Sequence, residues 1–310
     1  MMPVRGSPSR PNPRRFDRSG NPQQMKSFKI GVVVDSFRLP PREGVLAAKA
    51  VGAEGVQIYG GSKTFAPELL DAPARRAFRS FLDEQGLVLS ALCGDIGNFM
   101  DPARNPARIA RSKTIVDLAV DLGTKVVTTH IGSVPADAAS PVYAMLQKVC
   151  RELGGYATSK GVSFAIETGP ETARVLRGFL DSLGVPGIGV NLDPANLVMV
   201  CRDDPVAAVA TLAPYIVHTH AKDGRNLRVC DPEQVYAAFT DGSYPDLEKA
   251  LGGAPFVELP LGEGDVAWKP YLQALSAINY PGFLTIEREE GEDRYGDIAR
   301  GVQFLNGLGL

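Results

Sequence analysis

The chain has 310 residues, 44% of them hydrophobic and 22% charged, enough for one large barrel or two average domains around a sizeable core. Lysine and arginine number 33 against 35 acidic residues, a net charge of −2 that argues against a dedicated nucleic-acid binder. No apolar run approaches the roughly 18–20 residues needed to span a bilayer, so a transmembrane helix is excluded.

Residues 1–26 are rich in Arg, Pro, Ser and Gly and almost free of large apolar side chains. Such a segment buries too little to offset its chain entropy and is expected to be a disordered basic tail. It carries +5, which leaves the remainder at −7. Arg14-Arg15 resembles a twin-arginine pair, but no apolar stretch follows it. Met25 opens MKSFKIGVVV and reads as a natural start, with 27–310 as a single domain.

From Phe28 onward, short β-branched runs alternate with helical patterns. Strands are expected at 28–34, 55–59, 87–93, 124–130, 161–167, 187–193, 215–220 and 282–287. Helices are expected at 43–52, 68–86, 103–122, 139–158, 171–183, 204–213, 265–278 and 294–308. The stretch 221–264 reads as a long irregular insertion with a short helix at 232–239, placed to cover the mouth and meet a partner subunit. Near-continuous apolar strands alternating with helices predict an α/β fold, a (β/α)8 TIM barrel. A doubly wound sheet for dinucleotides lacks its Gly-x-Gly-x-x-Gly turn here. The cysteines (Cys93, Cys150, Cys201, Cys230) form no C-x-x-C pair and read as reduced, mostly buried thiols, hence a cytoplasmic location.

In such a barrel, chemistry sits where the strands end. Those ends read Asp35, His130, Glu167, Asp193, His220 and Glu287, the last four on successive strands. Taken singly, each has an ordinary alternative as a cap or loop charge. Together, three carboxylates and an imidazole at one mouth would repel without a cation. Oxygen-rich ligation with one His suits Mn²⁺, Mg²⁺ or Co²⁺, with Zn²⁺ left open. Trp268 and Phe99 are read as core, with the pocket wall as the alternative, Glu171 as a first-turn charge, and Glu289, Glu290, Glu292 and Asp293 as a solvated face.

The segments IETGP, NLDPANL, HTHAKD, PLGEGDVAW and GFLTIEREEGED resemble the sugar-phosphate isomerase/epimerase superfamily, the xylose isomerase-like TIM barrels, over about residues 28–308. The resemblance implies Glu167, Asp193, His220 and Glu287 as metal ligands, with Glu167 and Glu287 also exchanging protons with substrate. It places Lys222 and Arg225 on substrate oxygens. His130, His218 and Asn196 complete the expected substrate contacts, His218 alternatively as barrel packing. Asn196 stands where ketose 3-epimerases carry a His, and Gln57 where the second strand often carries a Glu. The endonuclease branch needs more histidines than the three present.

The expected activity is a metal-dependent isomerase or epimerase of an uncharged keto-sugar or α-hydroxy-carbonyl polyol. A dehydratase of inosose or dehydroshikimate type, with Lys222 or His130 as acid, is the second reading. A non-catalytic sugar-binding barrel is the third. The partner is a small carbohydrate, with no nucleic acid or membrane, and a homodimer or homotetramer is left open.

Overall fold

The computed structural model describes residues 28–309, so the segment read as a disordered tail, with its start at Met25, lies outside the described residues. Strands are numbered in chain order. They are β1 (Lys29–Val33), β2 (Gly55–Tyr59), β3 (Val88–Cys93), β4 (Val126–Thr129), β5 (Ser163–Glu167), β6 (Ile188–Leu192), β7 (Ile216–Ala221), β8 (Asp223–Asn226), β9 (Phe256–Leu259) and β10 (Phe283–Ile286). Eight of them close a parallel barrel in the ring order β1-β10-β7-β6-β5-β4-β3-β2. The barrel strands are mainly apolar because side chains fill the interior and helices cover the outside. Val32, Val56, Val127, Phe164 and Val190 are all fully buried.

The helices form where capping and periodicity agree. Pro141 and Pro205 sit at first helical positions behind the caps Ser140 and Asp204, whose side chains accept from Val142 N and Val206 N. In Ala173–Leu183 the buried residues Leu176, Phe179, Leu180 and Leu183 fall on one helical stripe. Gly86 and Gly161 end their helices with φ of 67° and 68°, a conformation costly for residues with a Cβ.

The insertion is a correction to the sequence reading. It is ordered: β8 and β9 form an antiparallel pair, with helices Pro232–Asp241 and Tyr244–Leu251 between them. Asp-Gly-Arg-Asn has poor strand propensity, so only its pairing with Phe256–Leu259 reveals it as a strand. Buried Asp223 anchors the pair by accepting from Gly224 N, Gly262 N, Val266 N and Trp268 Nε1 at 2.8–3.1 Å. Those bonds hold Asp265 and Val266 in a turn, so the following helix starts at Trp268. Trp268 and Phe99 belong to the core as expected. No helix among the described residues is long and apolar enough to cross a membrane. All four cysteines are free, Cys93 and Cys150 buried.

Candidate metal centre at the barrel mouth

Glu167 is the last residue of β5, Asp193 follows β6, His220 lies near the end of β7 and Glu287 follows β10. Each offers one ligand atom, and these atoms lie within 4.8 Å of one another, all four residues buried. His220 Nδ1 faces Glu167 Oε1 at 3.4 Å, Asp193 Oδ2 at 3.4 Å and Glu287 Oε2 at 3.3 Å. Burial alone would push this imidazole down, yet the Glu287 and Glu167 carboxylates raise it well above its ordinary value. The same mutual field, with Lys222, holds Glu287 well below the usual carboxylate range against its burial.

The donor set fits a divalent cation. Asp193 caps the turn Pro194–Asn196 with Oδ1, which accepts from Asn196 N at 2.9 Å. Its Oδ2 is buried without a hydrogen-bond partner among the described residues. A buried orphan oxygen is costly unless something positive completes it. Three carboxylates around one imidazole leave a surplus of negative charge that a divalent cation would neutralise.

The supporting groups fix each donor. Gln57 Oε1 accepts from His220 Nε2 at 3.2 Å and from His218 Nε2 at 2.9 Å, while Gln57 Nε2 donates to Thr128 Oγ1 at 3.2 Å. Occupying Nε2 in this way leaves the His220 Nδ1 lone pair for a metal. Asn191 Nδ2 donates to Glu167 Oε2 at 3.0 Å, and Asn196 Nδ2 to Glu167 Oε1 at 3.1 Å. Gln57→Leu is therefore expected to weaken manganese affinity by roughly 10–100-fold, measured by calorimetric titration of the metal-stripped protein.

The remaining expected residues divide. His130 borders the cluster: its Nδ1 meets Asp95 Oδ2 at 3.0 Å and its Nε2 lies 3.9 Å from Glu167 Oε1. Burial lowers it, but Glu167 and Asp95 raise it to about 10. Lys222 is buried with Nζ 3.1 Å from Glu287 Oε2 and also pairs with Glu289. Burial would lower this ammonium too, but the carboxylates of Glu287 and Glu289 hold it well above its ordinary value. Glu289 is 56% exposed, on the solvated face expected of it, and reaches inward only to pair with Lys222. His218 lies inside the barrel against Gln57 and Thr285, pushed down to about 3 by burial and His220, which fits the packing alternative. Asn196 is engaged in holding Glu167. Arg225 is not brought to the cluster; half exposed on β8, it pairs with Asp265 at 2.9 Å.

Two residues at the mouth escaped the sequence reading as site components. Tyr236, from the insertion, brings its hydroxyl against Gly169, so close that a Cβ there would lie 1.8 Å from the oxygen. Its ring lies 6.0 Å from that of His130, and burial followed by Glu167 raises its hydroxyl well above the ordinary value. The insertion therefore does cover the mouth. Glu171, read as a first-turn charge, is buried and accepts from Val134 N at 3.1 Å. Burial raises it to about 8. Its neutral form is favoured on folding, so this stability is fully present below pH 4.5 and lost as pH rises through about 8. Melting temperatures recorded from pH 5 to 9 should decline less for Glu171→Gln than for the native protein; parallel curves would remove Glu171 as the cause.

Comparison with known proteins agrees with this architecture. An uncharacterized protein, YfiH, of Bacillus subtilis (strain 168) is 27% identical over 308 residues, covering 85% of this chain and 93% of that protein. A 2-epi-5-epi-valiolone 7-phosphate 2-epimerase of Actinoplanes sp. is 31% identical over 204 residues, covering 62% of this chain and 72% of the relative. The solved xylose isomerase domain protein from Planctomyces limnophilus superposes with a TM-score of 0.72 at 27% identity, over 91% of this chain and 97% of that one. The family described as xylose isomerase-like TIM barrel matches residues 45–308. The chain is a member of that family.

Proposed function

We propose that the protein is a divalent-metal-dependent isomerase or epimerase acting on an α-hydroxy carbonyl compound of the sugar or polyol class. The observation that carries this reading is the convergence of Glu167, Asp193, His220 and Glu287 within 4.8 Å at the barrel mouth. When bound there, a divalent ion supplies positive charge that polarises a carbonyl and its adjacent hydroxyl. Glu167 and Glu287 stand on strands three places apart in the ring, with β6 and β7 between them. One carboxylate removes the proton from the carbon beside the carbonyl and the other returns one, which inverts that centre or moves the carbonyl. Lys222, bonded to Glu287 Oε2, holds that carboxylate in place and is charged for the purpose. Tyr236 and the insertion shield the mouth from bulk water. The Actinoplanes relative, an epimerase by name, supports the reaction class.

One observation favours a second reading. His130 Nε2 lies 3.9 Å from Glu167 Oε1, and, against its burial, the Glu167 and Asp95 carboxylates raise the imidazole to about 10, the direction a general acid for a departing hydroxyl needs. Incubation in D₂O with a panel of ketoses and keto-polyols separates the two. Deuterium incorporated without water loss is expected; loss of a hydroxyl with a new ultraviolet-absorbing enone would make the protein a dehydratase. Binding with neither outcome would leave a sugar-binding barrel.

A further inference from the structure

Beside Glu287 lies a cavity of about 220 Å³, bordered also by Asp35, Arg38, Tyr59, Glu289 and Arg294. It is far larger than a single water requires. Three of the charged residues on its wall are paired. Glu287 and Glu289 share Lys222. Arg288, a further lining residue, is taken by Glu258 at 2.6 Å and Asp297 at 2.9 Å. Asp35 makes no ion pair among the described residues; its Oδ2 is held by Tyr59 N, from which it accepts at 3.0 Å. Arg38 and Arg294 remain, and neither makes an ion pair among the described residues. The one hydrogen bond of the Arg294 guanidinium runs from Nε to Gly291 O at 3.4 Å. Burial and the charge of Arg38 both push Arg294 down, and Glu290 and Glu258 offset this only in part. Two guanidinium groups that repel each other across a roomy cavity, next to a proton-transfer carboxylate, are arranged for an anion of the substrate.

We propose that this cavity is an anion subsite, in which Arg38 and Arg294 grip a phosphate monoester or carboxylate carried by the substrate whose reacting carbon lies at the metal centre. It rests on the reaction class proposed above and replaces the uncharged substrate expected from the sequence. The overall acidity of the chain hid it, because the two arginines are 256 positions apart and meet only when β1 and β10 pair.

Two measurements on the magnesium-loaded full chain test it. In the first, inorganic phosphate is titrated while arginine side-chain Nε–H resonances are followed in the native protein, Arg38→Gln, Arg294→Gln and the double variant. Saturable shifts of two resonances, each lost in its own variant, are expected. Phosphate that moves neither resonance, or binds the double variant as well as the native protein, overturns the subsite. In the second, deuterium exchange compares a neutral keto-polyol, its terminal phosphate and its terminal carboxylate. One anionic member should exceed the neutral one roughly tenfold or more in kcat/KM, and which member does so identifies the anion. The double variant should raise KM for that member and remove its advantage over the neutral compound. Equal turnover of all three overturns the subsite but not the reaction class. Exchange with none of them, alongside persistent arginine shifts, overturns the reaction class but not the subsite.

Discussion

Glu287→Gln is expected to lower solvent-deuterium exchange by about 10²–10⁴-fold at saturating metal, the range general acid–base catalysis supplies. The substitution keeps an amide oxygen where Glu287 Oε2 now faces His220 Nδ1 at 3.3 Å and Lys222 Nζ at 3.1 Å, so the shape of the site persists. What it removes is the proton acceptor. Glu167→Gln should do the same from the other side, and a substrate of one configuration should distinguish them. With each variant one stereoisomer keeps partial wash-out of label while the other loses it. Metal content measured on the same samples separates lost proton transfer from lost binding. Exchange retained within about twofold in either variant would withdraw that residue from the reaction.

Arg288→Ala should destabilise the protein by about 3–5 kcal/mol, the usual cost of removing one partner from a buried charge network. Arg288 Nη1 donates to Glu258 Oε1 at 2.6 Å and Nε to Asp297 Oδ2 at 2.9 Å, and all three side chains are less than a tenth exposed. Without the guanidinium, Glu258 and Asp297 lose their principal buried cation. Arg300 also pairs with Asp297 but is 57% exposed and replaces little of it. The loss reaches function, because Glu258 also accepts from Glu289 N at 3.0 Å and so fixes the segment after β10 that carries Glu287. Urea denaturation measures the first effect. A loss below about 1 kcal/mol would mean that the network relaxes into solvent when broken.

The barrel and its four clustered side chains were legible because both depend on local pattern. Glu167, Asp193, His220 and Glu287 each close a run of apolar residues that parallel pairing buries, so strand prediction alone carries them to one rim. What escaped depends on contacts between distant segments. Gln57 looks like a mere departure from the family until His220 and Thr128 are seen on either side of it. Arg225 follows the strand-end His closely enough to look like a substrate contact, but β8 pairs with β9 and aligns it with Asp265 instead. Tyr236 sits in an insertion whose length already points to the mouth, but its fold depends on Asp223, so no local pattern singles out this residue as the one that reaches His130. Asn196 was read by its spacing from Asp193, yet both of its side-chain bonds go to the β5 end, at Glu167 and Thr168.

Elemental analysis of protein purified without chelators, paired with melting curves before and after manganese or magnesium is added, bears on the central claim most directly. One equivalent of a divalent metal per chain is expected. Restoring metal to stripped protein should raise the melting temperature, since an ion at a hundred times its dissociation constant stabilises by about 2.7 kcal/mol. Asp193→Ala should abolish that rise, because it removes the buried Oδ2 that accepts no hydrogen bond among the described residues. A chain that carries no stoichiometric metal and melts at the same temperature with and without added ion would contradict the account.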